Sequence, residues 1–242
     1  MSMIARAALA GAIALTAPAV GAQTLTVGSA APVTTIDPHF HNVGPNNALT
    51  MHIFDRLVER DGRARPHPSL AESWRVVSDT VWEFKLRQGV TWHDGRPFTA
   101  DDVVFTFSRV PNVPNSPGGF QGFLRAIERV EVVDPHTIRL HTAAPHPLMP
   151  LDLASVSIIA RHAAEGLGTE DFNTGRAAVG TGPYRLVAYR SGDRIEMVRN
   201  ESYFGGAQPW GQVNYRIVNN DGARTAALLA GDLDIIEQVP TS

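Results

Sequence analysis

The 242-residue sequence predicts a mixed α/β or α+β domain on three observations. Runs that alternate apolar and polar residues come in pairs across short turns built from Asp, Gly and Pro, which is the period of hairpin strands. Stretches with apolar residues at helical spacing stand between them in no strict alternation, so regular βαβ winding is not expected. The balance of 43% apolar to 19% charged residues is that of a chain with a buried core.

The elements follow in order. Residues 1–22 read as a secretory signal, with Arg6 as the charged start, an apolar run over 7–15 and the small-residue site Val20-Gly21-Ala22, so the mature chain is expected to start at Gln23. Residues 24–28 read as a strand, and 30–46 as a loop rich in Pro, Gly, Asn and His. A helix capped by Asn46 or Asn47 should carry Leu49, Ile53, Phe54 and Leu57 on one face. Trp74 and Val76, then Trp82, Phe84 and Leu86, alternate around Ser78-Asp79-Thr80, which predicts a hairpin with its aromatics on the buried face. His93-Asp94-Gly95 makes a turn, and Thr99 caps a helix with Asp101 and Asp102 in the positive first turn and Val103, Val104 and Phe107 as its buried stripe. Residues 111–122 are irregular, and 123–129 read as a short helix. A second hairpin turns at Asp134-Pro135-His136, helices are expected at 148–154 and 161–165, and a third hairpin turns at Ser191-Gly192-Asp193. Val213, Tyr215 and Ile217 form a strand, 222–230 a helix and 233–236 a last strand.

Composition excludes several classes of function. A net charge of −3 with scattered Arg, and Lys85 as the lone lysine, does not offer the concentrated basic face that nucleic acid requires. With no cysteine the chain has no disulfide, thiolate zinc site or lipid-modified N-terminal thiol. The apolar run of the signal is shorter than the roughly 20 residues of a membrane span, so soluble export to a periplasm is expected, without a membrane anchor. Gly-x-Ser-x-Gly, His-Glu-x-x-His and Gly-Lys-Ser/Thr are all missing, and Asp101 and Asp102 diverge by about 100° on a helix, so no catalytic residues and no enzyme activity are expected. His39-Phe40-His41, with His52 beyond, could turn imidazoles toward a metal, which makes a metal-dependent hydrolase the alternative. No carboxylate or Cys at ligand spacing completes that set, so no metal or other cofactor is expected.

Leu70-Ala-Glu-Ser-Trp74, the stretch from Gly89 through His93-Asp94-Gly95 to Phe107, and Gly180-Thr-Gly-Pro-Tyr184 together resemble the family 5 extracellular solute-binding proteins, the dipeptide- and oligopeptide-binding components of ABC importers. The resemblance covers the whole mature chain, and full-length members are about twice as long. It implies the N-terminal lobe of a two-lobed periplasmic binding protein, the second lobe absent, with residues 23–54 and 180–242 as a first subdomain and 55–179 as an inserted one. It further implies capture of a peptide or similar small solute for the transmembrane subunits of an ABC permease, by a protein that is a monomer when full length. Dipeptide, oligopeptide, sugar, nickel-chelate and glutathione binders share these motifs, and a truncated receptor lobe without function is the other alternative. By resemblance, ligand contact is expected from Asn42, Val43 and Gly44 after Asp37-Pro38-His39, from Ser116 and Phe120 in the loop after the Thr99 helix, and from Thr181.

Overall fold

The computed structural model describes residues 23–239, so the expected secretory signal lies outside them. The elements run β1 (Thr24–Ser29), α1 (Gly44–Thr50), β2 (Val58–Arg60), β3 (Pro66–Pro68), β4 (Ala71–Ser78), β5 (Val81–Leu86), α2 (Ala100–Arg109), α3 (Gln121–Leu124), β6 (Ile127–Asp134), β7 (Thr137–Thr142), α4 (Met149–Leu153), α5 (Arg161–Ala164), α6 (Thr169–Asn173), β8 (Tyr184–Arg190), β9 (Arg194–Arg199), β10 (Gln212–Ile217), α7 (Asp221–Ala230) and β11 (Ile235–Ile236). This is the mixed α/β class that the sequence predicts.

Two sheets organise the chain. A five-stranded sheet of order β11-β1-β10-β9-β8 joins the first strand to the last four. In it β1 lies parallel to both β10 and β11, while β9 runs antiparallel to β10 and β8. A four-stranded antiparallel sheet of order β4-β5-β7-β6 comes wholly from the middle of the sequence. Each sheet has its own core. Leu57, Leu70, Phe84, Leu86, Trp92, Phe98, Val103, Ile138 and Met149 pack in the middle one, and Val27, Ile36, Leu49, Ile53, Phe54, Tyr184, Met197 and Val213 in the other. Ile159, Ala164, Phe172, Ala177 and Ala178 also join the second core, so the packing of residues expected in the inserted segment turns back well before Gly180.

Most expected elements form, and the departures have local causes. Helix α1 begins at Gly44 with extended Val43 as its cap and Pro45 in the first turn, ahead of the expected Asn caps. Asn46 is instead turned back, its Oδ1 accepting the Thr34 N–H at 2.9 Å. The helix also stops at Thr50, because the carbonyls of His52 and Ile53 accept from Tyr184 and Gly182 rather than continue the ladder. Leu49, Ile53, Phe54 and Leu57 are all buried nonetheless.

In α2 the buried face is Ala100, Asp102, Val103, Thr106 and Phe107, and Val104 lies at its half-exposed margin. Asp102 caps as expected, one oxygen accepting Thr99 N–H at 3.0 Å and the other Arg161 N–H at 2.9 Å. The hairpin of β4 and β5 forms, but its face is fully buried only at the Phe84 and Leu86 end; Trp74 and Trp82 are half-buried and Val76 is exposed. The helix expected over 123–129 is confined to α3, since Ile127 is drawn into pairing with Thr142. The short elements α6, β2 and β3 had no counterpart in the sequence reading, being too brief to show a period.

Candidate ligand-binding surface

Two loops meet beside α2, one following β1 and one following α2. In the first, Asp37 Oδ1 accepts the His39 N–H at 3.0 Å, which closes the Asp-Pro turn. Arg109, the last residue of α2, forks onto the same carboxylate at 3.0 and 2.6 Å and donates to His39 Nδ1 at 2.9 Å. Its guanidinium lies 4.7 Å from the Phe172 ring centroid, and Thr169 adds a hydroxyl to Asp37 at 2.8 Å. Asp37 is fully buried, which raises its pKa, but the bonds and charge of Arg109 outweigh that and hold the carboxyl below its ordinary value. His39 is likewise enclosed, and burial, with the Arg109 charge, brings its pKa down to about 4. The neutral ring therefore donates Nε2–H to the Ser157 carbonyl at 2.7 Å and accepts at Nδ1.

The second loop is stitched to the first. His41 and Gly118 form a parallel bridge, Asn42 N–H donates to Gly118 O at 2.8 Å, and Ser116 Oγ donates to Phe40 O at 2.6 Å. Asn42 and Gly44 are exposed on this double loop, with Val43 and Ser116 partly so. Phe120 lies beneath, buried at 4% exposure. The N–H groups of Asn42 and Val43 are spent on Gly118 and His41 carbonyls, and Asn42 Oδ1 accepts from Asn47 at 2.8 Å. The Asn42 amide NH2 is thus left without a partner among the described residues.

Thr181 is placed apart from that rim. It is buried, donating to Asp55 Oδ2 at 2.7 Å, and Tyr203 OH donates to Asp55 Oδ1 at 3.2 Å. Burial pushes the Asp55 carboxyl up to about 6 against the pull of these bonds. The glycines on either side of Thr181 let the backbone lie against 52–54: a Cβ on Gly180 would stand 1.7 Å from Ile53 O, and one on Gly182 2.6 Å from Ile53 C. His93 ties the same segment from the other side, accepting Gly180 N–H at Nδ1 (3.2 Å) and donating Nε2–H to Gly182 O (3.0 Å). Its burial lowers its pKa to about 4, which fits a neutral ring fixed as a staple between the two halves. Neither the staple nor the Asp37–Arg109 pair was found from sequence, because their partners lie 87 and 72 residues apart.

The histidines named for a metal are not assembled. Both ring nitrogens of His39 are engaged with Arg109 and Ser157, and His52 packs on Tyr184 and Tyr215 with Nε2 at 3.2 Å from Tyr215 OH. A hollow of about 390 Å³ opens next to the double loop, bounded by Asn42, Asn47, Met51, Arg56, Glu59, Arg60, Phe120, Phe123, Ala154 and Ser155. A larger one of about 550 Å³ lies between α2 and β6, and none of the expected contact residues borders it.

Comparison with known proteins agrees with this architecture. The family model described as bacterial extracellular solute-binding proteins, family 5 Middle, matches residues 65–242. Heme-binding protein A of Haemophilus influenzae is 34% identical over 213 residues, covering 78% of this chain and 39% of its own length. The dipeptide-binding protein of Escherichia coli is 30% identical, over 91% of this chain and 45% of its own. Among solved structures, MoaA of A. tumefaciens R10, in complex with mannopinic acid, superposes with a TM-score of 0.80 at 31% identity, over 90% of this chain and 45% of that one. DppA of Helicobacter pylori, in complex with the peptide STSA, gives 0.78 at 26%, over 87% and 45%. The chain thus spans less than half the length of these relatives.

Proposed function

The chain belongs to the bacterial extracellular solute-binding proteins of family 5, and we propose that it is the N-terminal lobe of a periplasmic receptor that captures a peptide or similar small solute and delivers it to an ABC permease. The observation that carries this reading is the double loop locked by Arg109. It presents Asn42, Val43, Gly44 and Ser116 at one rim without spending the Asn42 amide NH2 inside the lobe. Such a rigidly held loop is where a binding scaffold places its contacts. Phe120 supports the rim from below, and Thr181, bonded to Asp55, serves it by fixing the junction of the two cores.

Residues 23–54 and 180–242 are the first subdomain in this proposal and 55–179 the inserted one. A second lobe, as in two-lobed receptors, closes over the ligand by hinge motion. Binding of this kind requires no reaction step, and the family's members are transport proteins. Among the described residues no helix is long and apolar enough to cross a membrane. Export is read from residues 1–22, so fractionation of expressing cells is expected to place the protein in the periplasm with Gln23 as its first residue by mass. A cytoplasmic protein retaining Met1 contradicts the receptor reading.

A further inference from the structure

The hollow beside the double loop combines two kinds of lining. Met51, Phe120, Phe123 and Ala154 contribute apolar surface, and Asn42, Asn47, Arg56, Glu59, Arg60 and Ser155 polar groups. Its formal charges are two guanidinium groups against one carboxylate. Asp55, next in sequence, turns its carboxyl to Thr181 and Tyr203 instead.

Arg60 is exposed and spends one terminal nitrogen within the lobe, donating to Leu151 O at 2.8 Å and Ser155 Oγ at 3.0 Å. Arg56 is more enclosed. Only one of its terminal nitrogens is used, on Glu59 at 3.3 Å, and its Nε–H is buried without an acceptor among the described residues. An orphaned donor of this kind costs about 1–3 kcal/mol unless something meets it. The side chain borders the hollow and keeps 11% exposure; its Nε is sealed from solvent, so a ligand meets Arg56 at the second terminal nitrogen, which bonds nothing among the described residues. A guanidinium offers its donors in a fixed fork that matches a carboxylate.

We infer that this hollow is a subsite for the carboxylate of an acidic side chain, in which Arg56 takes the carboxylate and Phe120, Phe123 and Met51 cover the methylenes of the ligand. It rests on the peptide-binding reading, because Asn42 belongs both to the proposed contact rim and to the mouth of the hollow, and it narrows that reading to acidic peptides. Glu59 occupies the other terminal nitrogen of Arg56, so the ligand carboxylate competes with its charge.

Titration of the ¹⁵N-labelled chain with Ala-Glu-Ala, Ala-Gln-Ala, Ala-Lys-Ala and glutarate tests this, following the Arg56 Nε–H resonance, which Arg56→Lys assigns by deletion. Ala-Glu-Ala is expected to bind roughly tenfold more tightly than Ala-Gln-Ala, the scale of one charge-assisted bond. It should shift the Arg56 signal, and Arg56→Lys and Arg60→Gln should reduce the preference. Equal binding of the Glu and Gln peptides, or a preference unchanged in both variants, overturns the acidic subsite while leaving peptide binding intact. With ligands taken well above millimolar concentration, a shift by glutarate and by no peptide supports the carboxylate site but overturns its use for acidic side chains of peptides. No shift by glutarate or any peptide overturns the subsite, while peptide capture itself is tested separately on a fusion carrying the second lobe of a full-length relative. The wild-type titrations decide these outcomes even where a variant does not fold.

Discussion

Arg109 holds the double loop through a buried pair, and its removal would strand Asp37, a fully buried carboxylate, without its cation. Breaking such a pair costs on the order of 3–5 kcal/mol, so Arg109→Gln is expected to lower unfolding stability by about that amount and Arg109→Lys by less, since lysine keeps the charge but not the fork. A loss below about 1 kcal/mol in denaturant unfolding of Arg109→Gln contradicts the role given to the pair. Protonation adds a second expectation. His39 and His93 titrate near 4 in the fold against 6.5 when free, so as pH falls through this interval the unfolded chain takes up protons that the folded one refuses, and stability is lost. Asp55 acts oppositely: raised from 3.8 to about 6, it binds a proton in the fold first and recovers stability over the same fall. Asp55→Asn removes that recovery, so its stability should drop more steeply than wild type between pH 7 and 4, by up to about 3 kcal/mol at 1.36 kcal/mol per pH unit. Parallel pH profiles for the two proteins contradict the assignment. None of these pairings was legible in the sequence. Asp37-Pro38-His39 reads locally as a turn, which it is, and nothing near it announces an arginine at the far end of a helix.

The elements were more legible, and for a physical reason. Hairpins declare themselves by period two and by turn chemistry, so Asp134-Pro135-His136 and Ser191-Gly192-Asp193 place the turns of β6–β7 and β8–β9, although β6 starts at Ile127 within the stretch expected to be helical. The Thr99 cap does the same for α2. Failures fall where a distant partner overrides local pattern, as when Asn46 bonds Thr34 instead of capping α1, or Ile127 pairs with Thr142 instead of extending α3. Burial depth is the other hidden quantity. Trp82 alternates as a core residue should, yet it lies half-buried next to the turn of its hairpin, while Trp92 is enclosed and bonds Asp102 through Nε1 at 3.3 Å. Trp92→Ala should therefore cost about 3–5 kcal/mol in chemical denaturation, with Trp82→Ala distinctly less. Equal losses, or the reverse order, contradict this depth assignment.

Across the described residues, two sheets with separate cores are joined by contacts that include the His93 staple on Gly180 and Gly182, the Asp55 cluster and the Arg109 clamp. The fold class was readable from hairpin period and helical spacing, and the family resemblance from motifs such as Gly180-Thr-Gly-Pro-Tyr184 and His93-Asp94-Gly95, which meet at this joint. The contact rim was placed by resemblance alone, since exposed loop residues carry no periodic signal. A lone lobe offers a ligand one wall, whereas a good pocket buries about 70–90% of it. Calorimetry with a peptide library, on this chain and on a fusion that adds the second half of a full-length relative, measures the central claim directly. Affinity no better than millimolar is expected for the chain and a strong rise for the fusion, which Asn42→Ala or Gly44→Trp then weakens. Micromolar binding by the chain alone, or unchanged affinity of the fusion in both variants, contradicts it.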